Sequence, residues 1–111
     1  MAKRQNEWTE AEKLAVWRKA TEVPPNDPNV YRKDLAGAWM QWDKHGDTSS
    51  EFGFGWEIDH KYPVAKGGSD NIDNLQPLQW ANNRYKGDNY PRYQTLVSSN
   101  GNQNIKKVQS W

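Results

Sequence analysis

An α+β fold is predicted for this chain of 111 residues by three observations. A capped segment of helical period opens it, short alternating apolar and polar runs fill its middle, and Gly and Pro cluster between these runs. The length suits one domain over residues 1–111, with a small core. It divides into an N-terminal helical part over about 9–35, a central motif over about 38–90 and a C-terminal extension over 91–111.

Thr9-Glu10-Ala11-Glu12 reads as a capping box, with Leu14, Val16, Trp17 and Ala20 following at helical spacing, so a helix is predicted over about Glu10–Thr21. The proline-rich run Val23–Asn29 ends it, because proline lacks the donor a helix needs. Val30–Leu35 is read as one further helical turn, and Ala38–Trp42 as a short aromatic strand. After a polar loop from Asp43 to Gly53, Gly55–Asp59 alternates, with Trp56 and Ile58 on one face and Glu57 and Asp59 on the other. These two strands are expected to pair as an antiparallel hairpin. Pro63 and Gly67-Gly68 punctuate a loop to Asn71, Leu75–Leu78 suggests another strand, and Trp80–Lys86 a helix stopped by Gly87. Beyond Pro91, Thr95–Val97 reads as a strand and Asn100-Gly101 as a hairpin dipeptide, with Ile105, Val108 and Trp111 returning to cover the core.

Only 34% of residues are apolar and the mean hydropathy is -1.19, which describes a wet, loop-rich chain. Seven Trp and five Tyr compensate, since each buries a large area at low entropic cost. The absence of Cys excludes disulfides and thiolate zinc sites. No apolar run follows Met1–Asn6, so neither a signal peptide nor a membrane span is expected, and a cytoplasmic location is. The net charge of +1 is unevenly spread: residues 1–58 carry eight basic and ten acidic side chains, and residues 59–111 seven and four. That excess is too small to argue for nucleic acid by itself.

The chemistry concentrates in Glu57-Ile58-Asp59-His60-Lys61-Tyr62-Pro63 and the segments after it, Gly67-Gly68, Asn74-Leu75-Gln76-Pro77-Leu78 and Asn82-Asn83-Arg84-Tyr85-Lys86-Gly87-Asp88. Adjacent Asp59 and His60 can divide two jobs, one carboxylate for a hard cation and one imidazole for a proton. Asn83, 24 residues past Asp59, is far enough for the chain to return a second oxygen ligand. Mg²⁺ keeps several waters, so one carboxylate and one carbonyl oxygen suffice. On a regular strand Asp59 and His60 point to opposite sides, so a bend after Asp59, near Pro63, is expected to bring both into one cleft.

This block resembles the active-site motif of the HNH endonucleases, the ββα-metal or His-Me finger fold. The resemblance covers about a third of the chain. It places His60 as general base, Asp59 and Asn83 as metal ligands, and Asn74, 14 residues after His60, as the residue that ties down the loop behind the histidine. Lys86 falls where the family often has a lysine that reaches a phosphate. What the resemblance implies is a metal-dependent endonuclease that nicks or cuts DNA, with Mg²⁺ (or Mn²⁺ or Ni²⁺) as cofactor. Many relatives brace the fold with zinc held by paired Cys-x-x-Cys motifs; here Gln79 and Asn82 occupy such positions. No structural zinc is therefore expected, and aromatic packing is expected to replace that staple.

Plainer readings stand beside these. Asn74 is also an ordinary turn-former, and Lys86 a solvated helix end favoured by the macrodipole. Asn82 is an alternative ligand to Asn83, and His45 is read as a solvated side chain. Lys61, Lys66, Arg84 and Lys86 are the candidate DNA contacts, each also an ordinary surface charge. Among the tryptophans, only Trp56 and Trp80 lie near enough in sequence to shape the site. No element suited to reading a groove is evident, so contacts with phosphate rather than bases are expected, with RNA left open as substrate. Two further functions compete: a non-catalytic nucleic-acid-binding module, and a toxin-type nuclease held by a protein partner.

Overall fold

The computed structural model describes residues 2–111. Helix α1 spans Glu10–Trp17 and helix α2 Trp80–Lys86; the strands are β1 (Tyr31–Lys33), β2 (Trp39–Gln41), β3 (Trp56–His60), β4 (Leu75–Gln79), β5 (Gln94–Asn100) and β6 (Gln103–Ser110). They pair antiparallel as β1–β2, β3–β4 and β5–β6, a mixed α+β arrangement. Within it β3, β4 and α2 follow in the order strand, strand, helix. No helix among the described residues is long and apolar enough to cross a membrane.

The capping box forms as read: Thr9 Oγ1 accepts from the Glu12 amide at 3.1 Å and Glu12 Oε1 from the Thr9 amide at 2.9 Å. The helix stops at Trp17 rather than Thr21 because the following residues are used elsewhere. The Arg32 guanidinium donates to the Arg18 and Ala20 carbonyls at 3.3 and 3.1 Å, and Thr21 exchanges backbone hydrogen bonds with Lys33. That same pairing makes Tyr31–Lys33 a strand, where a helical turn was expected.

The expected hairpin between Ala38–Trp42 and Gly55–Asp59 does not form; β2 pairs with β1, and β3 with β4 in the register Ile58 to Pro77 and Asp59 to Gln76. The other edge of β3 is taken by a side chain. Gln5 accepts from the Ile58 amide at 2.9 Å and donates to its carbonyl at 2.8 Å, like a strand one residue long. Because Ile58 turns its backbone groups outward to Gln5, Pro77 opposite it forfeits no ladder bond for want of an N–H.

One core cluster joins Trp8, Val16, Trp17, Met40, Trp56, Ile58 and Leu75. Trp17, Trp42 and Trp56 pack with ring centres 5.1 to 5.8 Å apart. At the Gln79 and Asn82 positions, however, carboxamides rather than aromatic rings do the bracing. Gln79 accepts from the Ala81 and Asn82 amides and donates to the Glu51 and Gly53 carbonyls. Asn82 accepts from the Leu96 and Val97 amides and donates to Asp34 and the Val97 carbonyl. This pins α2 to β5 with every polar valence of Asn82 used.

The C-terminal hairpin turns at Gly101-Asn102, one residue later than read, with Gly101 at φ 61° and the pairing closing at Asn100–Gln103. Positive φ at the first central residue only is the type II′ pattern that suits glycine. Ile105, Val108 and Trp111 stay exposed instead of covering the core. The β6 residue that turns inward is Asn104, whose side chain bonds both backbone groups of Trp39.

Candidate active site

Strand β3 is buried on both faces. Trp56 and Ile58 face the core, as the alternation predicted, and α2 covers the carboxylate face. Glu57 receives Arg84 in a two-point ion pair at 3.0 and 2.9 Å and Asn83 Nδ2 at 2.9 Å. Asp59 receives Lys86 Nζ on Oδ1 at 3.2 Å and the cross-strand Gln76 on Oδ2 at 2.9 Å. Burial pushes the Asp59 carboxyl above the usual carboxylate range, against the opposing pull of Gln76 and Lys86.

The strand runs regularly through His60, so no bend after Asp59 is needed. A pocket of about 430 Å³ lies at the end of β3, and Asp59, His60 and Asn83 are all among its lining, together with Arg84 and Ala2–Gln5. Asn83 Oδ1 accepts no hydrogen bond from a described side chain once its nitrogen is given to Glu57. Each Asp59 oxygen holds one donor, and a carboxylate has about four lone-pair sites. One carboxylate and one carboxamide oxygen, completed by water, are a donor set that fits a hard divalent cation. No group of three or more His, Cys, Asp or Glu side chains with metal-site geometry occurs among the described residues; a two-oxygen site completed by water needs none.

His60 is nearly buried, with 13% of its side chain exposed, and its Nε2 lies 2.7 Å from Asp70 Oδ1. Asp70 Oδ2 accepts the Lys3 amide at 3.1 Å. Burial alone would raise the Asp70 carboxyl, but the bonds to His60 and the Lys3 amide outweigh it and hold it low. Trp8 packs against the imidazole with ring centres 6.0 Å apart. Its indole nitrogen is the one buried side-chain polar atom without a partner among the described residues.

The remaining expected residues fall outside the pocket. Asn74 binds the Tyr62 amide and carbonyl and the Ser69 carbonyl at 2.8, 3.1 and 2.9 Å, and so ties down the loop that follows His60. That loop closes tightly: a Cβ on Gly68 would stand 1.7 Å from the Tyr62 carbonyl oxygen, and Gly67 sits at φ 102°. Lys86 is neither a solvated helix end nor open to a phosphate. It is wholly buried, its ammonium held by Asp59 and by the His60 carbonyl at 3.2 Å, because the alternation of β3 aims a carboxylate into α2 that needs a cation. Asn82, saturated by its four bonds, has no oxygen to offer a metal.

Lys61 and Lys66 are exposed; Arg84 is exposed but committed to Glu57. His45 is half-buried edge-on to Trp56, ring centres 4.9 Å apart, and bonds Gln5 at 3.1 Å, so it is not the solvated side chain expected. Trp56 is fully buried in the core, and Trp80 donates to the Ser50 carbonyl outside the pocket.

Sequence reading passed over Asp70, Gln5 and Trp8. It placed Glu57 on the Asp59 face by the alternation of β3 but gave it no role. Asp70 stands in a loop and Gln5 and Trp8 lie about fifty residues before β3, where no period or spacing marks them.

Residues 45–89 match the family model described as HNH endonuclease. No curated protein and no solved structure matches the chain. The matched stretch contains β3, β4 and α2 and, with them, Asp59, His60, Asn74 and Asn83. The stretch that supplies Asp59, His60 and Asn83 to this pocket is thus similar to the HNH endonucleases.

Proposed function

We propose that the chain is a metal-dependent nuclease that hydrolyses DNA phosphodiesters, with His60 as general base and a divalent cation, Mg²⁺ or a similar ion, on Asp59 and Asn83. The observation that carries this reading is the one pocket whose lining includes Asp59, His60 and Asn83. Bound there, a hard cation would supply stabilisation of the charge that develops on the phosphate and the leaving oxygen.

The protein's own residues do the rest. Asp70 accepts the Nε2 proton of His60, which leaves Nδ1 unprotonated as the acceptor. Nδ1 takes a proton from a water whose oxygen forms the new bond to phosphorus. The bond from phosphorus to the leaving sugar oxygen breaks, and that oxygen is protonated by solvent. Lys86 neutralises Asp59 from beneath and keeps it in place, so it is a positioning residue. Lys61 and Lys66, on the loop after His60, are the cations free to meet flanking phosphates.

Supercoiled plasmid incubated with Mg²⁺, Mn²⁺ or chelator tests the reading. Nicked or linear product is expected with metal and not with chelator; intact plasmid under every divalent metal would reject it.

A further inference from the structure

A second cavity is larger than the one at Asp59. A groove of about 580 Å³ opens on the other side of α2, between the helix end and the C-terminal hairpin. Tyr85, Tyr93 and Trp111 line it together with Arg92 and the carboxamides of Asn89 and Gln94, and no Asp or Glu side chain does. Tyr85 is 45% and Trp111 41% exposed. Trp111 is a fixed platform: its indole N–H is bonded to Thr95 Oγ1 at 2.9 Å, and its backbone exchanges hydrogen bonds with Tyr93. Arg92 is exposed and pairs with no carboxylate among the described residues.

The groove and the candidate active site meet at one side chain. Lys86 Nζ is 3.2 Å from Asp59 in the first pocket and 5.2 Å from the centre of the Tyr93 ring in the second. Arg84 and Tyr85, successive on α2, line the two pockets respectively.

The exposed rings of Tyr85 and Trp111, a guanidinium without a carboxylate partner and the absence of Asp or Glu side chains favour a flat, neutral ring attached to a phosphate. Each base has a π-face that stacks on aromatic side chains, and arginine adds a cation above a ring or a contact to the backbone. In a duplex those faces are already stacked on one another, whereas a single strand can turn one outward. We propose that the Tyr85–Tyr93–Trp111 groove receives a base of a single-stranded nucleic acid whose neighbouring phosphate lies in the Asp59–His60 pocket. This rests on the nuclease reading and narrows its substrate to a single strand or a single-stranded end.

The test is anisotropy titration of the full chain, in chelator, with a labelled oligothymidylate, an oligouridylate and a duplex of equal length. The single strand is expected to bind more tightly than the duplex. Tyr85→Ala and Trp111→Ala should each weaken strand binding by about tenfold, the size of one lost stack, and leave duplex binding unchanged. Tyr85→Phe keeps the ring and should bind as the parent does. Tyr85 is a surface residue, so its substitution separates a lost stack from a lost fold should Trp111→Ala melt early. Stacking does not read the 2′-hydroxyl, so binding of either strand supports the groove, and any preference names the sugar.

Equal affinity for strand and duplex, or parental strand affinity in both alanine variants, would overturn the proposal. Chelator keeps the two readings apart. If no metal supports cleavage yet the variants still lose strand affinity, the nuclease reading alone fails. If duplex is cut equally by parent and variants without strand preference, the groove alone fails.

Discussion

His60 and Asp70 form a hydrogen-bonded pair, Nε2 to Oδ1 at 2.7 Å, across a loop of nine intervening residues. The carboxylate's second oxygen is anchored on the Lys3 amide, so the pair is held from outside the loop as well as within it. A carboxylate on one ring nitrogen fixes the tautomer and leaves the other nitrogen as acceptor.

His60→Ala is expected to lower cleavage by ~10²–10⁴-fold with the fold intact. Asp70→Ala should lower kcat by up to about 10²-fold, the size of a misplaced catalytic group, with KM little changed. Nitrogen NMR gives the signature of positioning, because Asp70→Ala should mix the His60 tautomers while His45, the other histidine, keeps its own. Parental kcat in Asp70→Ala would show that the pair is structural.

Lys86→Met should be strongly destabilising although α2 tolerates the side chain. It leaves the Asp59 carboxylate buried without its cation, which typically costs about 3–5 kcal/mol. The double variant Lys86→Met/Asp59→Asn removes both charges and should recover part of the loss in urea unfolding. A single variant as stable as the parent would place Lys86 outside the structural machinery.

The neighbours Asn82 and Asn83 should separate cleanly. Asn82→Ala strands the Leu96 and Val97 amides and one face of Asp34, at roughly 1–3 kcal/mol for each unmet group. Asn83→Ala should change stability far less but weaken Mn²⁺ binding in calorimetric titration, as should Asp59→Ala. Unchanged affinity in both ligand variants would force the metal site to be redrawn.

Stability should depend on His45. Burial first, and then the nearby Lys13 charge, hold its imidazole below its ordinary value of 6.5. The unfolded chain therefore takes up that proton more readily than the folded one. The contribution is fully present above pH 6.5 and is lost as pH falls through the lower folded value. His45→Gln should flatten this part of a plot of Tm against pH; an unchanged slope would exclude His45 as its source.

Duplex binding should weaken only gently with salt, on the order of two to four released counterions. Lys61→Ala and Lys66→Ala should each reduce the slope by about one. Lys86, being buried, contributes no counterion, and its conservative variants should leave the slope alone. Duplexes of unrelated sequence should compete about equally, and a sharp preference for one short sequence would reveal a reading surface elsewhere.

Local features carried far. Thr9 and Glu12 close the capping box within four residues, the Gly55–Asp59 alternation places Trp56 and Ile58 inward, and Gly87 ends α2 where the helix pattern ends. The spacing of Asp59, His60, Asn74 and Asn83 was enough to mark the family, because such a motif is a set of residue types at short, fixed separations. Partners were not legible in this way. Tyr31–Lys33 is a strand because β2 and Thr21 pair with it, and β3 takes β4 rather than β2.

Tertiary structure alone decided that Gln5 borders β3, that Asp70 holds His60 and that Lys86 lies beneath Asp59. Each of these depends on a strand edge left open or a charge left buried by the packing of distant segments. The free energy of an unpaired backbone group or an unpartnered carboxylate exists only once those segments have met.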